Sequence, residues 1–179
     1  MTSVIRDNKL QQLDTFLFYK CHYLSNQPMK NLSVWVSKTG DGYFYFAIAL
    51  LVYFLEQAMG ASFFYCALLA FAVEVPIYLG LKNLVRRNRP FNKLNSFKSH
   101  IAPSDKFSMP SGHTAAAFVF ATVVAYFYPQ FSILAYSWAV CIGFSRVFLG
   151  VHFPGDIIAG ALLGYASAQF AITFSLSLI

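Results

Sequence analysis

Apolar residues run through this chain in long blocks, broken by a few short polar stretches. Crossing a bilayer as an α-helix takes about 20 predominantly apolar residues. Four blocks approach or reach that length: roughly Phe44–Leu55, extended by Tyr43 and its neighbours, then Ala61–Leu81, Thr114–Tyr128 and Phe131–Leu149. A fifth, Asp156–Ile179, closes the chain. The first and third are short, so they are expected to tilt or to be extended by flanking residues. Between Leu10 and Lys38 the pattern changes: Leu13, Phe16 and Leu17, and later Leu32, Val34, Trp35 and Val36, alternate with polar residues at helical spacing. This favours a pair of interfacial amphipathic helices over residues 1–40, with a degenerate first span as the alternative. Gly40-Asp41-Gly42 separates that region from the first clear span. The expected fold is therefore all-α: a polytopic membrane helix bundle forming a single domain over residues 1–179, with five clear spans and six if the first is hidden.

Composition agrees with a bilayer-facing surface. Hydrophobic residues make up 58% of the 179 positions and charged residues 11%, with a mean hydropathy of +0.55. Soluble domains carry about 25% charged residues. The net charge of +6 is not arranged as a stripe of cations interleaved with aromatics, so no nucleic-acid partner is expected. Anionic headgroups or a phosphate substrate suit it better. Cys21, Cys66 and Cys141 form no CxxC pair or metal-ligand spacing, and are expected to be buried structural thiols. Residues 1–20 lack the apolar core and cleavage site of a signal peptide, so no cleaved leader is expected.

Against this apolar background, three polar blocks stand out, each at the edge of a span. Lys82 and Arg89-Pro90 lie seven positions apart. If the second span continued past the membrane edge they would share a helix face, with Pro90 ending that helix. Alone, the block reads as a juxtamembrane basic cluster. Pro110-Ser111-Gly112-His113 precedes an apolar helix, with Ser111 placed as an N-cap and Gly112 allowing close backbone approach. The free N–H groups of such a helix start bind phosphate. Ser145-Arg146 closes the fourth span and is followed by His152 and Asp156. Pro154 suits the first turn of a new helix, bringing the Asp156 carboxylate within reach of the His152 ring, where it can fix the tautomer. Because successive spans reverse direction, all three blocks emerge on one membrane face. Residues 82–112 form the loop of that site, rich in cations and holding one acid, Asp105. Glu74, inside the second span, is either functional or bonded to a neighbouring helix.

In this order the blocks resemble the signature of the type 2 phosphatidic acid phosphatase superfamily: Lys, six residues, Arg-Pro; Pro-Ser-Gly-His; then Ser-Arg, five residues, His, three residues, Asp. The length and lipid-facing composition resemble its small bacterial membrane branch. The resemblance implies an integral-membrane lipid phosphatase that hydrolyses a phosphate mono- or diphosphate ester without a metal or other cofactor. It implies that His152 is the nucleophile, forming a phosphohistidine, and that Asp156 is its partner. It further implies that His113 serves as acid and base, and that Lys82, Arg89, Arg146, Ser111 and Gly112 bind the phosphate. The implied setting is the bilayer, as a multi-pass protein of a bacterial cytoplasmic membrane with a membrane lipid phosphate as substrate. The charge pattern leaves the membrane side of the site open, and neither the particular lipid nor the oligomeric state follows. A vanadate-dependent haloperoxidase, or a non-catalytic binder or transporter of anionic lipid, are the alternatives.

Overall fold

The structure, a computed structural model, describes residues 9–94, 97–103 and 105–177. Residues 1–8 of the expected N-terminal unit and the last two of the fifth block lie outside that description. Every regular element among the described residues is helical. The helices are α1 (Lys9–Leu24), α2 (Gln27–Lys38), α3 (Gly42–Leu55), α4 (Gly60–Val85), α5 (Pro90–Lys93), α6 (Gly112–Phe127), α7 (Ser132–Phe148) and α8 (Pro154–Leu176).

Local chemistry sets several of these boundaries. Asn26 caps α2, its side-chain oxygen accepting the Met29 N–H at 2.9 Å. Pro154 takes the first position of α8, and the Asp156 carboxylate reaches back to the Phe153 N–H at 2.8 Å. α4 ends differently from the sequence expectation. Arg86 adopts a left-handed conformation (φ 49°), and this stops the helix one turn past Lys82. Lys82 and Arg89 therefore do not share one helix face. Pro90 starts the short α5 rather than ending α4, and the loop expected over 82–112 begins only at Arg86.

Among the described residues, three helices are long and apolar enough to cross a membrane: α4 with its continuation, the segment Pro129–Phe148 that contains α7, and α8. α3 and α6 are apolar but shorter. Large apolar side chains point outward along α3, α4, α7 and α8, including Leu51, Phe54, Leu68, Ile133 and Leu162. Cys141 belongs to that exposed surface, against the expectation of a buried thiol, whereas Cys66 is buried. α2 packs against α7: Arg146 donates to the Ser37 hydroxyl, and Trp138, about two turns earlier, donates to the Thr39 hydroxyl at the end of α2.

α6 sits at the centre, packed against α4, α7 and α8. Its contact with α8 is unusually close, for a reason that was present in the sequence and not singled out there. Gly160 and Gly164 lie four residues apart on one face of α8, a small-xxx-small pattern. A Cβ on Gly160 would come within 2.5 Å of the Ser111 carbonyl, and one on Gly164 within 2.1 Å of the Ala115 carbonyl. This crossing brings the start of α6 beside the start of α8, where the Ser111 N–H donates to the Asp156 carbonyl at 3.0 Å. Gly164→Leu should therefore push the helices apart, at a cost of about 1–3 kcal/mol in overpacking, and lower activity with stability. Gly80→Ala, in open space within α4, should leave activity unchanged and stability equal or slightly higher. Thermal unfolding in detergent, read beside phosphate release, checks this; equal stability of Gly164→Leu and wild type would contradict the tight crossing.

Candidate active site

α4 and α7 end, and α6 and α8 begin, at the same end of the bundle. Between them lies a cavity of about 250 Å³. Of the eight residues singled out in the sequence, six line it: Lys82, Arg89, Gly112, His113, Arg146 and His152. Asp156 stands behind His152. Ser111 is fully buried at the N-cap position of α6, where its hydroxyl makes no cap bond and instead accepts from the Thr114 hydroxyl at 3.0 Å. Gly112 is required by shape, since a Cβ would meet the Tyr78 ring at 2.9 Å.

The two faces of the His152 ring edge are distinct. Nε2 faces the cavity, 3.3 Å from the Arg89 Nη1, and Nδ1 faces Asp156, 3.5 Å from Oδ2. The latter spacing is longer than a hydrogen bond, and Nδ1 has no other partner among the described residues. Asp156 is occupied elsewhere: Oδ2 accepts from the Phe153 N–H and the Ser108 hydroxyl, and Oδ1 accepts from Arg87 at 2.8 Å. Burial pushes the His152 pKa well below the ordinary histidine range; Asp156 pulls it back up, and Arg146 and Arg89 add to the fall. The ring is therefore neutral near pH 7, the state in which an imidazole nitrogen can attack.

The cations are held from several directions. Arg89 is 1% exposed and donates to the Val151 carbonyl at 2.7 Å. Arg146 donates to the Ser37 hydroxyl from α2. Lys82 donates to the Tyr78 hydroxyl at 2.5 Å. Sequence reasoning did not single out Asp105 as a site residue, yet its carboxylate is paired with both Lys82 and Arg89 and accepts from Tyr78 at 2.7 Å. Burial alone would raise the Asp105 pKa, but the bonds from Lys82 and Tyr78 and the nearby cations win and bring it down to about 2. Asp41 is also new to the site. Its Oδ1 lies 3.0 Å from His113 Nε2, so the residue that breaks the chain between α2 and α3 also orients the second histidine. Glu74 lines the cavity wall, and among the described residues its buried carboxyl has no hydrogen bond or ion pair. No group of three or more His, Cys, Asp or Glu side chains among them is arranged to hold a metal ion.

Converging cations, a helix N-terminus and two histidines in a bundle of apolar helices define a class, a multi-pass membrane phosphatase. The chain belongs to the PAP2 superfamily, whose family model matches residues 60–178. It is 30% identical over 152 residues to an undecaprenyl-diphosphatase of Sulfolobus acidocaldarius, covering 83% of this chain and 71% of that protein. It is 30% identical over 183 residues to phosphatidylglycerophosphatase B of Bacillus subtilis, covering 92% and 84%. Its fold resembles the crystal structure of Aquifex aeolicus LpxE, with a TM-score of 0.80 at 24% identity over 90% of this chain and 95% of that one.

Proposed function

We propose that this protein hydrolyses a lipid phosphate or diphosphate through a phosphohistidine at His152, with α3, α4, α6, α7 and α8 as five spans of a bacterial cytoplasmic membrane. The observation that carries the reading is the orientation of His152: Nε2 toward the Arg89 guanidinium and the cavity, Nδ1 toward Asp156. Lys82, Arg89 and Arg146 hold the phosphoryl oxygens, with Ser111 and the Gly112 N–H at the start of α6 adding hydrogen bonds. Nε2 forms a bond to phosphorus as the bond from phosphorus to the lipid oxygen breaks, and His113 gives that oxygen a proton. Water then attacks the phosphohistidine and loses a proton to His113. Inorganic phosphate leaves, and His152 is restored.

A lipid substrate is supported by an apolar cleft of about 240 Å³ between α3 and α4, lined by Tyr45, Phe46, Ala49, Phe64 and Leu68. It shares Gly42 and Phe71 with the polar cavity, so a phosphate among the cations can leave its tail against the helices. Phosphate release from mixed micelles of lipid phosphate and detergent, in the presence of a chelator, tests the proposal. Multiple turnover supports it; lipid binding without release would instead make the chain a binder or transporter.

Asp105 already occupies two of the three cations, so an incoming phosphate has to displace it. Asp105→Asn removes that competing charge and is expected to tighten inhibition by vanadate and by inorganic phosphate. Weaker inhibition would mean that Asp105 chiefly holds Lys82 and Arg89 in place.

A further inference from the structure

Behind His152 lies a charged assembly that the proposed chemistry does not use. Arg87, in the segment after α4, donates through Nη1 to Asp156 Oδ1 at 2.8 Å and through Nη2 to Asp14 Oδ2 at 2.5 Å. The second oxygen of Asp14 accepts the Gly155 N–H at 2.7 Å. The Arg87 guanidinium lies 4.4 Å from the centroid of the Phe153 ring. One guanidinium thus joins α1 to the start of α8, bridging two carboxylates 142 positions apart in the chain. The assembly is largely buried, the side chains of Arg87, Asp14 and Asp156 being 16%, 13% and 0% exposed, with Asp14 and Arg87 forming part of the wall of a separate cleft of about 820 Å³ beside α1. Its seat is built for it. A Cβ on Gly155 would strike Asp14 Oδ2 at 2.8 Å, and Phe18, one turn along α1, is fully buried against Phe153.

This geometry decides where the Asp156 carboxylate points. Ser108 and the Phe153 N–H fix Oδ2, and Arg87 fixes Oδ1, so rotation of the group would break bonds on both sides. Oδ2 is thereby kept facing His152 Nδ1. Arg87 also neutralises part of the carboxylate charge, which otherwise acts on the imidazole alone. Fixed supporting groups of this kind matter because a 1 Å misplacement in a reacting constellation lowers rates by about 10²-fold.

We propose that Asp14 and Arg87 are positioning residues that clamp Asp156 for His152, making α1 part of the catalytic apparatus although it lies outside the matched family region. The proposal rests on the reading of His152 as nucleophile.

The test uses the full chain in lipid–detergent micelles and compares Arg87→Met, Arg87→Lys and Asp14→Asn with wild type and His152→Gln. Arg87→Met is expected to lower kcat about 10²-fold with KM changed by less than about twofold, since neither residue lines the substrate cavity. Arg87→Lys keeps the charge but not the fork, and should recover part of the loss. The pH profile supplies a readout that a purely structural role would not move. His152 faces Asp156 on α8, Arg89, Arg146 on α7 and His113 on α6; Arg87 acts on it through Asp156. Without Arg87, the full carboxylate charge falls on the ring and stabilises its protonated form. The acid limb of kcat/KM, where His152 loses its neutral form as pH falls, then moves to higher pH. Asp14→Asn keeps the shape of α1 and should shift the profile the opposite way, because Arg87 then acts on Asp156 unopposed; it decides the matter if Arg87→Met does not fold. Unchanged kcat and unchanged acid limbs in folded variants would overturn the clamp while His152→Gln remains inactive. If His152→Gln were itself active, the nucleophile reading would fail instead.

Discussion

His152→Gln is expected to lower kcat by about four powers of ten or more, in line with the loss of a nucleophile from other covalent hydrolases. The substitution leaves the pocket intact. Gln matches the length of the imidazole and can still donate a hydrogen bond, and the Arg89 guanidinium retains its bonds to the Val151 carbonyl and to Asp105. Lipid phosphate should therefore still bind, with vanadate losing affinity only to the extent that it bonds to Nε2. What disappears is the nitrogen that faces the phosphorus. Because burial keeps His152 neutral, the acid limb of wild-type kcat/KM that this ring sets should appear only where its depressed pKa is crossed. A steady-state assay with the purified variant, checked by its thermal midpoint, reads the effect. Activity within tenfold of wild type would exclude His152 as nucleophile.

The second large effect is expected at His113, and it should depend on the leaving group. On a lipid alkyl phosphate, His113→Gln removes the proton donor for a poor leaving group, and a loss of about 10²–10⁴-fold follows. An aryl phosphate with an acidic phenol needs no such proton, so formation of the phosphoenzyme should return toward the wild-type rate. Breakdown of that intermediate still lacks its base. His113→Gln with an aryl phosphate should then release one equivalent of phenol in a burst, followed by slow turnover. His152→Gln should give no burst with either substrate. An equal loss on both substrates without a burst would mean that His113 only shapes the pocket. The same variant series places Asp41: oriented by it at 3.0 Å, His113 should be impaired in Asp41→Asn in the same leaving-group-dependent manner, but less severely.

The parts of this site that could be read from the sequence share a physical origin. Lys82, His113, Arg146 and His152 sit at the ends of apolar blocks, and alternation of helix direction alone brings such ends to one face. The helical character of the blocks and of the Leu10–Lys38 region followed from periodicity. Where the reading failed, tertiary geometry was decisive. The left-handed Arg86 stops α4 early, and nothing in the Arg86-Arg87 pair announces which residue turns the chain. Asp14, Asp41 and Asp105 look like ordinary surface acids, because their partners Arg87, His113 and Lys82 lie far away in sequence. Arg87 itself reads as one more juxtamembrane cation until its two carboxylate partners are seen. The Gly160–Gly164 pair was legible as a helix-packing signal, and it accounts for the close approach of the two catalytic helix starts.

The central claim, covalent catalysis by His152, has a direct test. Wild-type protein and His113→Gln are mixed with an aryl phosphate carrying a labelled phosphoryl group, quenched in alkali and digested. Label retained on the peptide that holds His152, stable to base and lost in acid, is the expected result, with a larger fraction in His113→Gln than in wild type. Release of labelled phosphate with no labelled peptide in either protein, under conditions that preserve phosphohistidine, would show direct attack by water and contradict the account.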